Sequence, residues 1–366
     1  MRPESLISEK EWSRYKRHLQ LPGFDARAQC ALKNANVLVV GAGGLGCPIL
    51  LYLSAAGIGR LGIVDYDLIE VENLHRQVLY TNDDLGKSKS IVAGEKIRNL
   101  HPFVNVVVFN VSIDYKNVKS ILSTFDIIVD GTDNFATRYL LNDACVLLNK
   151  SYIYGAVFQY EGQVSSFNIP LKDGLRSCNY RNIYPDPPEI GVIPSCSEGG
   201  VLGILPGIIG SVQALEVIKL ITGLGEMLIN ETWIFDAISM ESQKIKILHP
   251  IPVIINEIVP VLNYCIPSRV QEIELYNINQ LNNTEYQLID VRSDEERNVS
   301  HIGGIHLPLN KLKDEYHEIS KIKKTIIFYC QSGKRSKEAV LLIQNISEGQ
   351  IKCLSLQGGL NNISAQ

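Results

Sequence analysis

Between Asn36 and about Ile169 the chain alternates two hydrophobic rhythms. Short runs rich in β-branched residues (NVLVV, LGIVD, VNVVVF, DIIVD and YIYGA) are apolar almost throughout. Strands buried on both faces have this composition, because neither side of the pleat meets water. Between them lie longer stretches, such as GLGCPILLYLSAAGIG and RYLLNDACVLLNK, with apolar residues at helical spacing. The alternation predicts a Rossmann-like α/β fold, a mostly parallel sheet with helices on both faces.

A polar, Pro-rich stretch follows (NYRNIYPDPPEIGVIPS), then an apolar run from Val201 to Leu224, then two more expected strands around TWIFDA and QKIKIL. The apolar run holds Pro206, Gln213, Glu216 and Lys219, and its uninterrupted part is too short to span a bilayer, so it reads as a buried helix. At HPIPVIINEIVPVLNYCIPSR four prolines break the rhythm. Residues 251–269 are therefore expected to link a domain at 1–250 to a second at 270–366. The second repeats the alternation on a smaller scale: YQLIDV, TIIFYC and IKCLSL as strands, with a helix from about Lys334.

The length of 366 residues suits two or three domains. A net charge of −4 and the lack of any Lys/Arg run give no basic stripe for nucleic acid. Cysteines stand singly at 30, 47, 145, 178, 196, 265, 330 and 353 with no C-x-x-C pair, which points to a reducing cytoplasm. The first residues, MRPESLISEKEWSRYKRHLQLPGF, mix both charges without an apolar stretch and do not read as a signal peptide.

Candidate chemistry begins at VLVVGAGGLGCPIL. Gly41, Gly43 and Gly46 stand in G-x-G-x-x-G order, straight after a strand and opening a helix. Glycines let backbone approach a phosphate, and the helix N-terminus offers free N–H groups and a positive dipole end. Asp65 ends the next strand, where a ribose-binding acid belongs. On these residues alone an NAD-dependent dehydrogenase and an ATP enzyme are both open. Asn73, Arg76 and Lys89 then follow, and IIVDGTDNFATR supplies Asp133 and Asn134 at a strand end. Two cations beside a carboxylate suit a triphosphate and its Mg²⁺ better than a nicotinamide.

RYKRHLQLPGFD, GAGGLGCP, DYDLIEVENLHRQ, DNFATRY, EGQVSSF and SCSEGGVLGILPGIIGSVQALE-IK, in this order and spacing, resemble the ThiF/MoeB-type branch of the ubiquitin-activating-enzyme superfamily over about residues 10–250. The resemblance implies adenylation of the C-terminal glycine of a ubiquitin-like sulfur-carrier protein ending in Gly-Gly, with ATP and Mg²⁺. It implies ATP contacts at Gly41, Gly43, Gly44, Asp65, Glu72, Asn73, Leu74, His75, Arg76, Lys89, Asp133 and Asn134, with Asp133 as the Mg²⁺ ligand. The position of Glu72 is often Ser in relatives. Arg17, the second Arg of RYKR, matches a residue that reaches ATP from a partner subunit, which implies a homodimer. Cys196, in PSCSEGG, matches a cysteine assigned to sulfur or acyl transfer in some members. Relatives also carry two C-x-x-C pairs for zinc; here those positions are Asn179, Asn182, Ile251 and Ile254. An amide is a poor zinc ligand and an alkyl group none, so no zinc is expected.

The last candidate is CQSGKRS: Cys330, Gln331, Ser332, Gly333, Lys334, Arg335 and Ser336. A thiol at a strand end, followed by a Gly turn, an Arg and a helix, sits where backbone N–H groups, a helix dipole and Arg335 lower its pKa and stabilise anionic sulfur. Phosphatase-like and rhodanese loops share this design, and a phosphatase needs five residues between Cys and Arg where this chain has four. LIDVRSDEERNVSHIGGIHLPL and LSLQGGLNN resemble the opening and closing segments of single rhodanese domains, so 270–366 reads as a small α/β rhodanese domain. Asp290 and Arg292 are expected to be structural, and His301 and His306 to pack in loops. The resemblance then implies a persulfide on Cys330, loaded by a donor such as a cysteine desulfurase, that attacks the carrier's acyl-adenylate. Molybdopterin, thiamine, tRNA thiolation, cysteine and natural-product routes all stay open as the sulfur's destination. A rhodanese domain that only binds or regulates, and a nicotinamide oxidoreductase, are the alternatives.

Overall fold

The computed structural model describes residues 7–187, 200–248, 250–251, 253–258, 272–274, 285–347 and 350–362. The chain divides into two compact units, 1–261 and 262–366. The division falls within the stretch read as a linker, most of which lies outside the described residues.

In the first unit eight strands form one sheet: β1 (Asn36–Val40), β2 (Arg60–Val64), β3 (Asn105–Phe109), β4 (Ile127–Asp130), β5 (Ser151–Phe158), β6 (Glu161–Phe167), β7 (Glu231–Asp236) and β8 (Ser242–Lys246). Their order is β3-β2-β1-β4-β5-β6-β7-β8, parallel through β5 and antiparallel from β6 onward. The apolar runs became strands buried on both faces, where stiff branched side chains pack well. Val37 and Val39 feed one core, which holds Leu50 and Leu53 of α3 (Gly46–Ala56) and Leu205 and Ile209 of the helix Leu205–Thr222. Leu38 and Val40 feed the other, with Tyr139 and Leu141 of α6 (Phe135–Leu147). Helices therefore cover both faces, as the sequence pattern required.

The helix Leu205–Thr222 is long and apolar enough to cross a membrane, yet it packs against α3, β5 and β6. Two of its polar residues, Gln213 and Glu216, are buried with protein partners. Gln213 Nε2 donates to the Asp130 carbonyl at 2.7 Å, and Glu216 Oε2 accepts from Ser166 Oγ at 2.9 Å and the Leu228 amide at 2.8 Å. That is the behaviour of a core helix. Strand β6, EGQVSSF, was not foreseen as a strand, because its inward residues include serines rather than valines; Ser165 and Ser166 are buried by bonding Thr232 and Glu216.

The second unit is a five-stranded parallel sheet of β9 (Glu272–Ile273), β10 (Tyr286–Asp290), β11 (Ile305–His306), β12 (Thr325–Tyr329) and β13 (Cys353–Leu356), in the order β11-β10-β12-β13-β9. Cys330 leaves the end of β12, and the helix Lys334–Ile346 opens just after it.

Candidate active site

Strand β1 is where the order of the large sheet turns back, with β2 and β3 on one side and β4 and β5 on the other. The chains leaving β1 and β4 lead to helices on opposite faces of the sheet, and a switch of this kind places a ligand crevice outside the strand C-termini, above the point where the two loops touch. The two loops cross in close contact. Gly41 has φ +92°, and a Cβ there would stand 2.6 Å from the Gly131 carbonyl oxygen, so only glycine fits. No side chain caps the start of α3. The Cys47 amide bonds the Gly43 carbonyl at 2.9 Å, and among the described residues the amides of Gly43, Gly44, Leu45 and Gly46 donate to no backbone carbonyl, so the open donors lie in the turn itself. Gly43 and Gly44 lie against Gln77 and Arg76, so the segment after β2 borders the same turn.

Asp65 is brought to that turn as expected. Its Oδ2 accepts the Ala42 amide at 2.7 Å and its Oδ1 the Asp67 amide at 2.8 Å. Burial pushes its carboxyl up to about 6, against the pull of the Ala42 bond and the Lys89 charge. Lys89 opens α4 (Lys89–Leu100) and is itself buried, with Nζ 3.0 Å from Asp67 Oδ2. Asp67 was missed by sequence reasoning; its signal is the second acid of DYD. Asp133 is exposed beside Asn134, whose side-chain oxygen caps α6 by accepting the Thr137 amide at 2.9 Å. The charges of Asp67, Asp65 and Asp133 reinforce burial in raising the Tyr66 hydroxyl to about 12. Asp130, also not singled out, anchors this loop. Its carboxylate accepts from Thr132 Oγ1 and Tyr152 OH, each at 2.6 Å.

Asn73 is buried and accepts the Glu70 amide through Oδ1 at 3.2 Å. Arg76 donates to the Glu72 carbonyl at 3.0 Å and lies 2.7 Å from His75 Nε2. Glu72 thus serves through its backbone, while its side chain is exposed, as is His75; Leu74 is half-buried. Arg17 is not in the crevice. Its helix α1 (Glu9–Leu19) ties to the ends of the helices that precede β1, β2 and β3: Glu11 to Lys33 at 2.8 Å, Tyr15 onto Gly57, and Arg14 to the Leu100 carbonyl at 2.6 Å. Those ends mark the opposite edge of the sheet from the glycine turn, and Arg17 is exposed there. Cys196 lies outside the described residues.

The four positions matched to zinc ligands show a different bonding. Asn179 and Asn182 close a capping box around one short turn, Asn182 Oδ1 accepting the Asn179 amide at 2.7 Å. Asn182 Nδ2 donates to the Ile251 carbonyl at 2.6 Å, and the Ile251 amide returns a bond to the Asn182 carbonyl at 3.0 Å. The Ile254 side chain is exposed. The segments a metal would join are joined by hydrogen bonds, and these donors do not fit zinc.

In the second unit Cys330 is fully buried at the base of its loop. Gly333 makes the turn at φ +86°, and the amides of Gln331, Ser332 and Gly333 donate to no backbone carbonyl among the described residues. The closing segment braces the loop from below, with Leu360 N to the Cys330 carbonyl and Asn361 N to the Gln331 carbonyl, both 2.9 Å. Arg335 does not stand as a free cation over the sulfur. Both its terminal nitrogens pair with Glu296 at 2.6 Å, and Arg335 holds the Glu296 carboxyl down at about 2. Ser332 and Lys334 are exposed at the loop. Arg292 forms a buried pair with Asp290 at 2.8 Å and also reaches Gln331 Oε1 at 3.3 Å, so it helps position the loop. His301 and His306 hold backbone, at the Gly303 amide and the Arg292 carbonyl.

This pairing of a glycine-turn crevice with a braced thiol loop is matched in known proteins. Residues 15–252 match the ThiF family, and residues 276–366 the rhodanese-like domain. The chain belongs to the ThiF family. The probable adenylyltransferase/sulfurtransferase MoeZ of Mycobacterium tuberculosis is 40% identical over 98% of this chain and 94% of its own length. The adenylyltransferase and sulfurtransferase MOCS3 of Xenopus laevis is 34% identical over 98% of this chain and 87% of its own. Among solved structures, E. coli MccB covers 68% of this chain and 73% of its own at 25% identity, with a TM-score of 0.58. This ThiF family member is an adenylyltransferase joined to a sulfurtransferase. The nicotinamide alternative for the glycine turn is not supported.

Proposed function

We propose that the first unit adenylates the C-terminal glycine of a ubiquitin-like sulfur carrier ending in Gly-Gly, and that the second converts it to a thiocarboxylate with sulfur carried on Cys330. The observation that supports this most is the Asp65 carboxylate bonded into the glycine turn beside buried Lys89. In this reading the open amides of the glycine turn that leads into α3 receive phosphate, Asp65 holds the ribose, and Arg76 and Lys89 neutralise phosphate oxygens. Asn134, with its oxygen spent on the cap, offers its amide nitrogen. Asp133, an exposed carboxylate at the crevice, fits the oxygen donors that Mg²⁺ prefers. Mg²⁺, when bound, offsets phosphate charge.

The carrier's carboxylate attacks the α-phosphorus of ATP, the bond to the β-phosphate oxygen breaks, and pyrophosphate leaves. No general base is required, since a carboxylate is ionised at neutral pH; positioning and charge neutralisation supply the catalysis. The terminal sulfur of the Cys330 persulfide then attacks the acyl carbon and AMP leaves, giving an acyl disulfide. A second thiolate, Cys196 or an external thiol, attacks the Cys330 sulfur and releases the thiocarboxylate. The resulting disulfide is reduced by two electrons from an external thiol, and a donor such as a cysteine desulfurase reloads the persulfide. Joining the units raises the local concentration of sulfur donor at the acyl-adenylate.

Arg17, on the far edge of its own sheet, serves the crevice of a second copy, so the working form is a homodimer. No zinc is required, because the Asn182–Ile251 bonds replace it. The chemistry belongs to the cytoplasm and involves neither nucleic acid nor membrane. Pyrophosphate exchange that depends on a Gly-Gly-ended carrier tests the first half. Cys330→Ala, which should keep exchange and lose thiocarboxylate, tests the second; full thiocarboxylate formation by that variant would reduce the rhodanese domain to a binding module.

A further inference from the structure

Behind the Cys330 loop lies a pair of buried hydroxyls. Ser336, in the first turn of the helix Lys334–Ile346, and Ser355, between Leu354 and Leu356 of β13, are both fully buried. Their Oγ atoms are 2.9 Å apart. Ser336 Oγ is also 3.0 Å from the Gly333 carbonyl and 3.7 Å from Cys330 Sγ. Ser336 therefore has one proton and three neighbours. The Gly333 carbonyl has a second donor in the Lys337 amide at 3.2 Å, so it is not orphaned if the Ser336 hydroxyl turns away. A hydroxyl in an otherwise apolar strand costs free energy unless it is bonded, and the bond Ser355 makes is to Ser336.

We propose that Ser355 is a positioning residue for the sulfur chemistry at Cys330. It donates to Ser336 Oγ, which leaves the Ser336 proton to serve either the Gly333 carbonyl or the Cys330 sulfur. When that sulfur is anionic, as thiolate or persulfide, the Ser336 hydroxyl swings onto it. Both protons stay on their own oxygens, and no covalent bond changes. A hydrogen bond to the charged form favours that form, and the Ser355 bond polarises the Ser336 hydroxyl and strengthens its donation. The inference rests on the reading of Cys330 as the sulfur-bearing residue.

The test uses the full-length chain with thiosulfate as sulfur donor and cyanide as acceptor, following kcat/KM for thiosulfate against pH. In this exchange the thiolate takes the outer sulfur and sulfite leaves; cyanide then removes that sulfur as thiocyanate. Ser355→Ala is expected to move the acid limb to higher pH, lowering the rate near neutrality by about threefold to tenfold and recovering at alkaline pH. Ser336→Ala should do at least as much, and the double variant should be no slower than Ser336→Ala, because one hydroxyl acts through the other. Ser355→Thr, which keeps the hydroxyl, should hold the wild-type limb, and it decides the matter if the alanine variant does not fold. An unmoved limb in Ser355→Ala, a shifted one in Ser355→Thr, or additive losses in the double variant would overturn the proposal. Cys330→Ala separates the two levels: sulfur transfer retained there refutes the reading of Cys330 itself, whereas transfer lost there with an unmoved Ser355→Ala limb refutes only the relay.

Discussion

Substituting Asn182 by Ala removes the side chain that joins the two segments where relatives hold zinc. Two bonds are lost, the one accepted from the Asn179 amide at 2.7 Å and the one donated to the Ile251 carbonyl at 2.6 Å. The backbone bond from Ile251 to the Asn182 carbonyl survives. Each lost bond contributes about 1 kcal/mol net. Asn182 is only half-buried, so little cavity cost adds to them. The sum is about 2 kcal/mol, which lowers the Tm of a unit this size by roughly 4–8 °C. The assay is thermal unfolding of wild type and Asn182→Ala with and without EDTA, taking the transition that ATP shifts as that of the first unit. EDTA is expected to move neither curve. A wild-type Tm that falls with EDTA would show that a metal, and not these bonds, holds the segments. An Asn182→Ala chain as stable as wild type would show that the bonds hold nothing.

Three further outcomes are expected. Arg17→Ala and Asp133→Ala should each lose pyrophosphate exchange by about a hundredfold; unfolded together and reassociated, they should regain about a quarter of the wild-type sites if Arg17 acts across a two-fold dimer, and no recovery would place Arg17 elsewhere. Asp65, raised to about 6 by burial, must be ionised to accept ribose hydroxyls, so adenosine affinity measured by calorimetry should be flat above pH 6, fall by about tenfold per unit below it, and lose that dependence in Asp65→Asn. The sign for stability is opposite: a buried charge with a raised pKa burdens the ligand-free fold above pH 6, and that burden disappears as pH falls toward the ordinary value of 3.8. Gly41→Ala forces a Cβ to 2.6 Å from the Gly131 oxygen at a positive φ; it should cost about 2–4 kcal/mol and abolish the thermal shift given by ATP, and an unchanged shift would mean the turn is more pliant than its contacts suggest.

Much of the large sheet was legible because β-branched runs buried on both faces carry their own signature, and the glycine turn stood out because a close backbone crossing at a strand end needs glycine, with Asp65 at the next strand end bonded into it. What stayed hidden depends on how elements dock. Strand β6 has no strand-like composition of its own and exists because β5 and β7 flank it. The two-residue strands β9 and β11 are likewise defined by their neighbours. Asp67 as partner of Lys89, and Glu296 as partner of Arg335, lie far from their partners along the chain. The motif around Cys330 suggested an arginine facing the sulfur; the structure pairs that arginine with Glu296 and sets the Ser336 hydroxyl 3.7 Å from the Cys330 sulfur.

The most direct measurement is the intact mass of a Gly-Gly-ended carrier after incubation with ATP, Mg²⁺, a reductant and the chain whose Cys330 has been loaded with sulfur. Wild type should yield pyrophosphate and a carrier in which one C-terminal oxygen is exchanged for sulfur, while Cys330→Ala yields pyrophosphate and an unchanged carrier. Pyrophosphate release without any carrier, or a thiocarboxylate formed equally well by Cys330→Ala, would contradict the division of labour between the two units.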